Sequence, residues 1–197
     1  MTDRMPPVPR EEWTPEQSKA ADEFVRLRGQ QIFGPFALML RSPEVMLRAA
    51  AMGDYMRHRT SLPPALNEFI ILLTARHWSQ QFEWYVHQPA ALKAGLSDAI
   101  VAAIATGRRP DAMSTDEAIV YDFTTELLRL QQVSDATYAR ARERFGEGGI
   151  VDMVGVAGYY AFLSMMMNTA RTAVPKESEV PPLAGEQTLR DADVTGD

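Results

Sequence analysis

The stretch from Ile150 to Met167 constrains this chain more than any other: eighteen mostly apolar residues, just long enough to cross a bilayer. It carries Asp152 near its start, Ser164 near its end and two glycines between, and no basic cluster flanks it. A helix apolar on all sides is equally what the centre of a helical bundle demands. Length and flanks favour the bundle, so the segment reads as a buried helix and no membrane partner is expected.

The punctuation elsewhere is also helical. Pro6, Pro7 and Pro9 make residues 1–13 a loose arm. Thr14-Pro15-Glu16 is a helix start, with the helix running to about Arg28 before Gly29 and the Gly34-Pro35 break. Ser42-Pro43-Glu44 opens a second helix ending near Arg59, and Leu62-Pro63-Pro64 a third with Leu66, Phe69, Ile70 and Leu73 on one stripe. A fourth spans about Gln80 to Ala94 and stops at Gly95. Ser97 caps a short helix ending at Gly107, and Ser114 with Glu117 has capping-box spacing. Ser134 starts a further helix ending before Gly146, and the apolar helix runs from Gly149 to about Arg171. No run alternates as a half-buried strand does. The expected class is all-α, with seven or eight helices in a domain over residues 14–174.

Charge and cysteine usage exclude several functions. Net charge is −6, but residues 175–197 hold six acids and two bases, an acidic tail that leaves the body close to neutral. No basic stripe exists for a nucleic-acid partner. With no cysteine, disulfides, thiolate nucleophiles and dithiol redox chemistry are all absent. Met1 to Arg10 lacks the apolar core of a secretory signal, which makes the cytoplasm the expected compartment.

Some polar residues do not suit a core. Glu68 sits on a helix apolar on nearly every side, its i+3, i+4 and i+7 neighbours being Ile71, Leu72 and Ala75. A buried carboxylate finds partners or becomes neutral, so Glu68 is either a salt-bridged structural group or a chemical one. Gln80, Glu83 and His87 fall at i, i+3 and i+7 and project from one face. Glu83 and His87 can share a hydrogen bond, which prepares a proton donor or acceptor near neutral pH; an exposed i, i+4 pair is the alternative. Pro89 frees the carbonyl of Tyr85 and tends to kink the helix. Trp78, Phe82, Trp84 and Tyr85 crowd the same region as core or pocket aromatics. Met153 and Met165 to Met167 read as adaptable core packing.

Glu68, eleven residues, Gln80, two, Glu83, three, His87: this spacing resembles the alkylhydroperoxidase-D-like superfamily, whose redox members place cysteines at the two middle positions. Flanking words are similar to the carboxymuconolactone decarboxylase family within it: Ala75-Arg76-His77-Trp78, Phe82-Glu83-Trp84, Ala94-Gly95-Leu96-Ser97, Val120-Tyr121-Asp122-Phe123 and Gly158-Tyr159-Tyr160. The likeness covers Gly34 to Pro175. It implies an alkylhydroperoxidase-D-like bundle, a proton-handling pair of Glu68 and His87, and Gln80 and Glu83 in the cysteine places. A thiol peroxidase cycle cannot run on Gln and Glu. The resemblance points instead to the lyase branch, where a carboxylated γ-lactone loses CO2.

Such a reaction must stabilise a dienolate and deliver a proton to carbon. On that reading His87 donates, Glu83 orients and charges it, and Glu68 completes the relay. Arg76 is a candidate fork for the substrate carboxylate. Gln80, Trp84, Tyr121 and Tyr159 are further candidates for the pocket wall. No cofactor and no metal are expected. The other readings are a hydratase or isomerase with the same site, a metal-dependent enzyme using the two carboxylates and the histidine, and a non-catalytic oligomeric binding protein. The resemblance also implies a homo-oligomer, a trimer or hexamer, and a small carboxylated molecule as partner.

Overall fold

Side-chain caps set most helix starts. Thr14 accepts from the Gln17 amide while the Gln17 side chain accepts from Thr14, and Ser114 and Glu117 form the same reciprocal box. Ser97 and Ser134 cap with one bond each, and proline at the first turn opens three other helices. A computed structural model describes residues 3–175 and 179–184. Among them are eight α-helices: α1 (Pro15–Arg28), α2 (Pro35–Met39), α3 (Pro43–His58), α4 (Pro64–His77), α5 (Gln81–Ala94), α6 (Asp98–Ala105), α7 (Thr115–Leu130) and α8 (Asp135–Ala170), after a 3-10 turn at Arg10–Glu12. No strand occurs among the described residues, and the class is an all-α bundle.

One of the expected boundaries changes. The Gly34-Pro35 break is the start of α2, because proline at N1 begins a helix as readily as it ends one. The break expected at Gly146 is present: within the span labelled α8 two helices meet at a kink, where Gly146 takes φ 67° and ψ 177°, a non-helical conformation nearly confined to glycine.

Helix α4 is the centre. Every residue from Leu66 to Ala75 is buried, and α4 packs on α5, α6, α7 and α8 together. Its buried polar groups have partners: Asn67 donates to the Met56 carbonyl and Thr74 to that of Ile70. Helix α8 is long and apolar enough, by length and composition, to span a bilayer, and half of its apolar window is buried inside the protein. The expectation that α8 is enclosed on all sides is therefore corrected. Met153, Val156, Tyr160 and Met167 face the core, but Val151 is 68% exposed, Val154 43% and Met165 45%. Met165 is accordingly not core packing, because the bundle covers α8 from one side only.

Both chain ends lie on the body where they are described. The Arg4 amide donates to the Ala170 carbonyl, and Met5 and Trp13 pack on the core. Most of the acidic tail lies outside the described residues, but 179–184 run across α5 and α6. Leu183 is buried, its amide donates to the Gln81 side chain, and the Ala184 amide donates to the Ala105 carbonyl.

Candidate active site

Helices α4 and α5 form a hairpin joined by a tight turn through Ser79, whose φ is 49°. Antiparallel packing of two adjacent helices brings Glu68 of α4 level with His87 of α5, although nineteen residues separate them. His87 Nδ1 lies 2.7 Å from Glu68 Oε2, and His87 Nε2 lies 3.4 Å from Glu83 Oε2. All three side chains are buried. An ionised Glu68 only accepts, so the geometry puts the ring hydrogen on Nδ1 and turns Nε2 toward Glu83.

Burial pushes the Glu83 carboxyl up to about 7, Glu68 adding to the rise while His87 and Arg57 oppose it. Near neutral pH, Glu83 thus divides between acid and carboxylate beside Nε2 of the ring. Tyr160 of α8 closes the third side, edge-on to His87 with ring centroids 4.9 Å apart. Burial holds both the Tyr160 and Tyr159 phenols above their ordinary range, so both are neutral donors. The cavity beside these groups is small, about 30 Å³, and is walled by Phe33, Phe36, Phe82, Tyr159 and Tyr160, with Arg28 and Arg57 also facing it.

The structure brings together Glu68, Glu83, His87 and Tyr159 of the residues singled out from sequence. It separates the others. Gln80 is buried as the cap of α5: its Oε1 accepts from the Phe82 amide at 2.6 Å and its Nε2 donates to Asn168 Oδ1 at 2.8 Å. That leaves it holding the α4–α5 turn against α8 rather than facing the cavity. Trp84 points the other way, donating to the Pro181 carbonyl beneath the tail. Arg76 and Tyr121 line a different cavity. Arg76 is two helical turns beyond Glu68, about 12 Å along the α4 axis, which takes its side chain out of reach.

Arg28, Arg57, Phe33 and Tyr160 were not identified from the sequence as site residues. Only Tyr160 of α8 had a signal, in the Gly158-Tyr159-Tyr160 word; Arg28, Arg57 and Phe33 arrive from α1, α3 and the loop before α2, which sequence order does not bring together. The two carboxylates already occupy both imidazole nitrogens, and no group of three His, Asp or Glu among the described residues has the arrangement of a metal site.

No family model matches the sequence, and no curated protein matches it either. Solved structures do. An uncharacterised peroxidase-related protein from Ralstonia eutropha, described as an alkylhydroperoxidase AhpD core, superposes with a TM-score of 0.69 at 14% identity, over 89% of this chain and 93% of that one. The debrominase Bmp8, solved with 2,3,4-tribromopyrrole, superposes with a TM-score of 0.67 at 10% identity, over 89% and 94%. At such identities the likeness is one of backbone, and it extends over nearly the whole of each chain. The chain has the alkylhydroperoxidase AhpD core fold.

Proposed function

We propose that this protein is a proton-transfer enzyme for a small carboxylated acid, a carbon–carbon lyase of the carboxymuconolactone decarboxylase kind acting on a carboxylated lactone or a related acid. One observation carries the reading: a buried imidazole held between two carboxylates, one of which titrates near 7. A structural ion pair has no need of a second, labile carboxylate, whereas an acid–base catalyst works best with a group poised at the working pH. The AhpD fold is compatible with it, since the solved structures named above include a debrominase as well as a peroxidase-related protein.

The chemistry follows from the groups present. When the carboxylate-bearing C–C bond breaks, CO2 leaves and the electron pair moves into the unsaturated lactone as a dienolate. Protonated Glu83, or His87 through Nε2, gives a proton to carbon, and solvent restores it after release. Glu68 holds the ring and offsets positive charge on it. Arg57 and Arg28, facing the cavity, take over the anchoring role first assigned to Arg76. Neutral Tyr159 and Tyr160 are donors for the developing oxyanion. Admission of an acid requires Phe33 and Phe82 to swing aside, because about 30 Å³ is room for a single water.

That small volume favours one other reading, an AhpD-type scaffold that binds or assembles without catalysis. Screening small lactone acids for CO2 release, with deuterium uptake from solvent into product, separates the two. The proposal expects a turned-over acid, and loss of at least about a hundredfold in kcat for His87→Ala, the usual weight of a general acid–base group. Full activity of a folded His87→Ala protein on that acid would remove the catalytic assignment.

A further inference from the structure

A second cavity, of about 110 Å³, opens between the C-terminal end of α4, the α6–α7 loop and the middle of α7. It shares no lining residue with the cavity at His87. Leu73, Ile104, Leu128 and the Tyr121 ring give it apolar walls, while Arg76, Arg108 and Arg129 supply charge. No carboxylate lines it, and none of these three arginines has an ion-pair partner among the described residues. The nearby Arg109 differs, being paired with Asp122 while it lies over the Tyr121 ring.

Arg76 is the unusual member. Its Nη1 has no solvent exposure and no hydrogen-bond acceptor. Its opposite edge lies against the turn at Gly107, where an added Cβ would come within 3.2 Å of Nη2. A guanidinium held partly dry with no counter-ion is costly, and an anion in the cavity offsets that cost by meeting the part of the side chain that lines it. The positive field is felt locally: burial and Arg129 both hold His77 below its ordinary range, so His77 faces the cavity as a neutral ring.

We propose that this cavity binds a small organic carboxylate, its apolar body against Leu73, Ile104 and Leu128 and its carboxylate on Arg76. The size agrees, being of the order of the ~150 Å³ apolar cavity that accepts benzene, and the charge pattern asks for one anionic head on an apolar body. The site is independent of the acid–base reading at His87, and its test does not require turnover.

Benzoate titrated into the full chain, followed by backbone amide NMR, is the experiment. Expected are saturable shifts of the Gly107, Arg108 and Tyr121 amides, with affinity at least about tenfold weaker in Arg76→Met, the loss of one charge-assisted bond. Should Arg76→Met fail to fold, Arg129→Met on the rim must itself weaken binding severalfold. No saturable shift, shifts confined to the surroundings of His87, or unchanged affinity in the folded variant would overturn the proposal. Inorganic phosphate binding as tightly as benzoate, with the same dependence on Arg76, would overturn the organic class and leave an anion hole only.

Discussion

At the scale of residues, Glu83 sets the behaviour of the site. Its carboxyl is buried and titrates near 7, well above an ordinary glutamate, so the folded state binds this proton more tightly than the unfolded chain does. The stabilisation is therefore complete below the unfolded value and is lost as pH rises from about 4.5 through about 7. A Glu83→Gln protein lacks that loss. Between pH 5 and pH 8, urea unfolding should show the wild type losing more stability than the variant, by a difference of order 3 kcal/mol. Equal pH dependence in the two proteins would mean that Glu83 titrates normally. If the proposed proton-transfer activity holds, the same variant should flatten the pH profile of kcat near 7. Glu68 has the complementary role, since the 2.7 Å contact to Nδ1 orients the ring that Glu83 meets from its other side.

At the scale of elements, close approach between α3 and α8 builds the wall of the site. A Cβ on Gly53 of α3 would stand 2.2 Å from Tyr159 Oη and 2.6 Å from Cζ, so only glycine lets that phenol pass against the helix. Gly53→Ala should cost about 1–3 kcal/mol, as overpacking of a filled interior does, and shift the near-ultraviolet dichroism of the tyrosines. Adding Tyr159→Phe should recover part of the loss, and a strictly additive double variant would argue against the contact. The α4–α5 hairpin is fixed with equal economy. Gln80 caps α5 and reaches Asn168, whose own amide donates to the Trp78 carbonyl, so the turn beside the site is tied to α8 at two points. The segment around Pro181 seals the outer side of α5 through Trp84.

At the scale of the whole molecule, the outside of α8 is an apolar face that no other described residue covers fully. Val151, Val154 and Met165 are exposed there, and Val45 and Met52 of α3 are exposed nearby. Between the two helices Val45, Ala49, Met52 and Phe162 line a broad apolar groove whose floor is Tyr159, a residue of the site wall. A trimer or hexamer, as the family resemblance implies, would cover such a patch with a second copy. Light scattering should then give a multiple of 22.0 kDa for the wild type and a lower mass for Met52→Glu. A wild-type mass of 22.0 kDa would dismiss the assembly.

Much of the architecture was already written in local chemistry. Caps, prolines and glycines act on their own neighbours, so helix starts at Thr14, Ser97, Ser114 and Ser134 follow from a few adjacent residues. The nearness of Glu83 to His87 also follows, because one helix fixes i and i+4. Their partnership with Glu68 was legible from family spacing alone. What remained hidden is whatever depends on how helices pack: Arg57 and Tyr160 entering from distant elements, Arg76 falling in another cavity, Gln80 and Trp84 turned to structural work, and α8 half uncovered. Short-range forces act along the chain and can be read from its order. Which side chains share a cavity is decided by tertiary packing, through the rotation and depth of each helix against its neighbours.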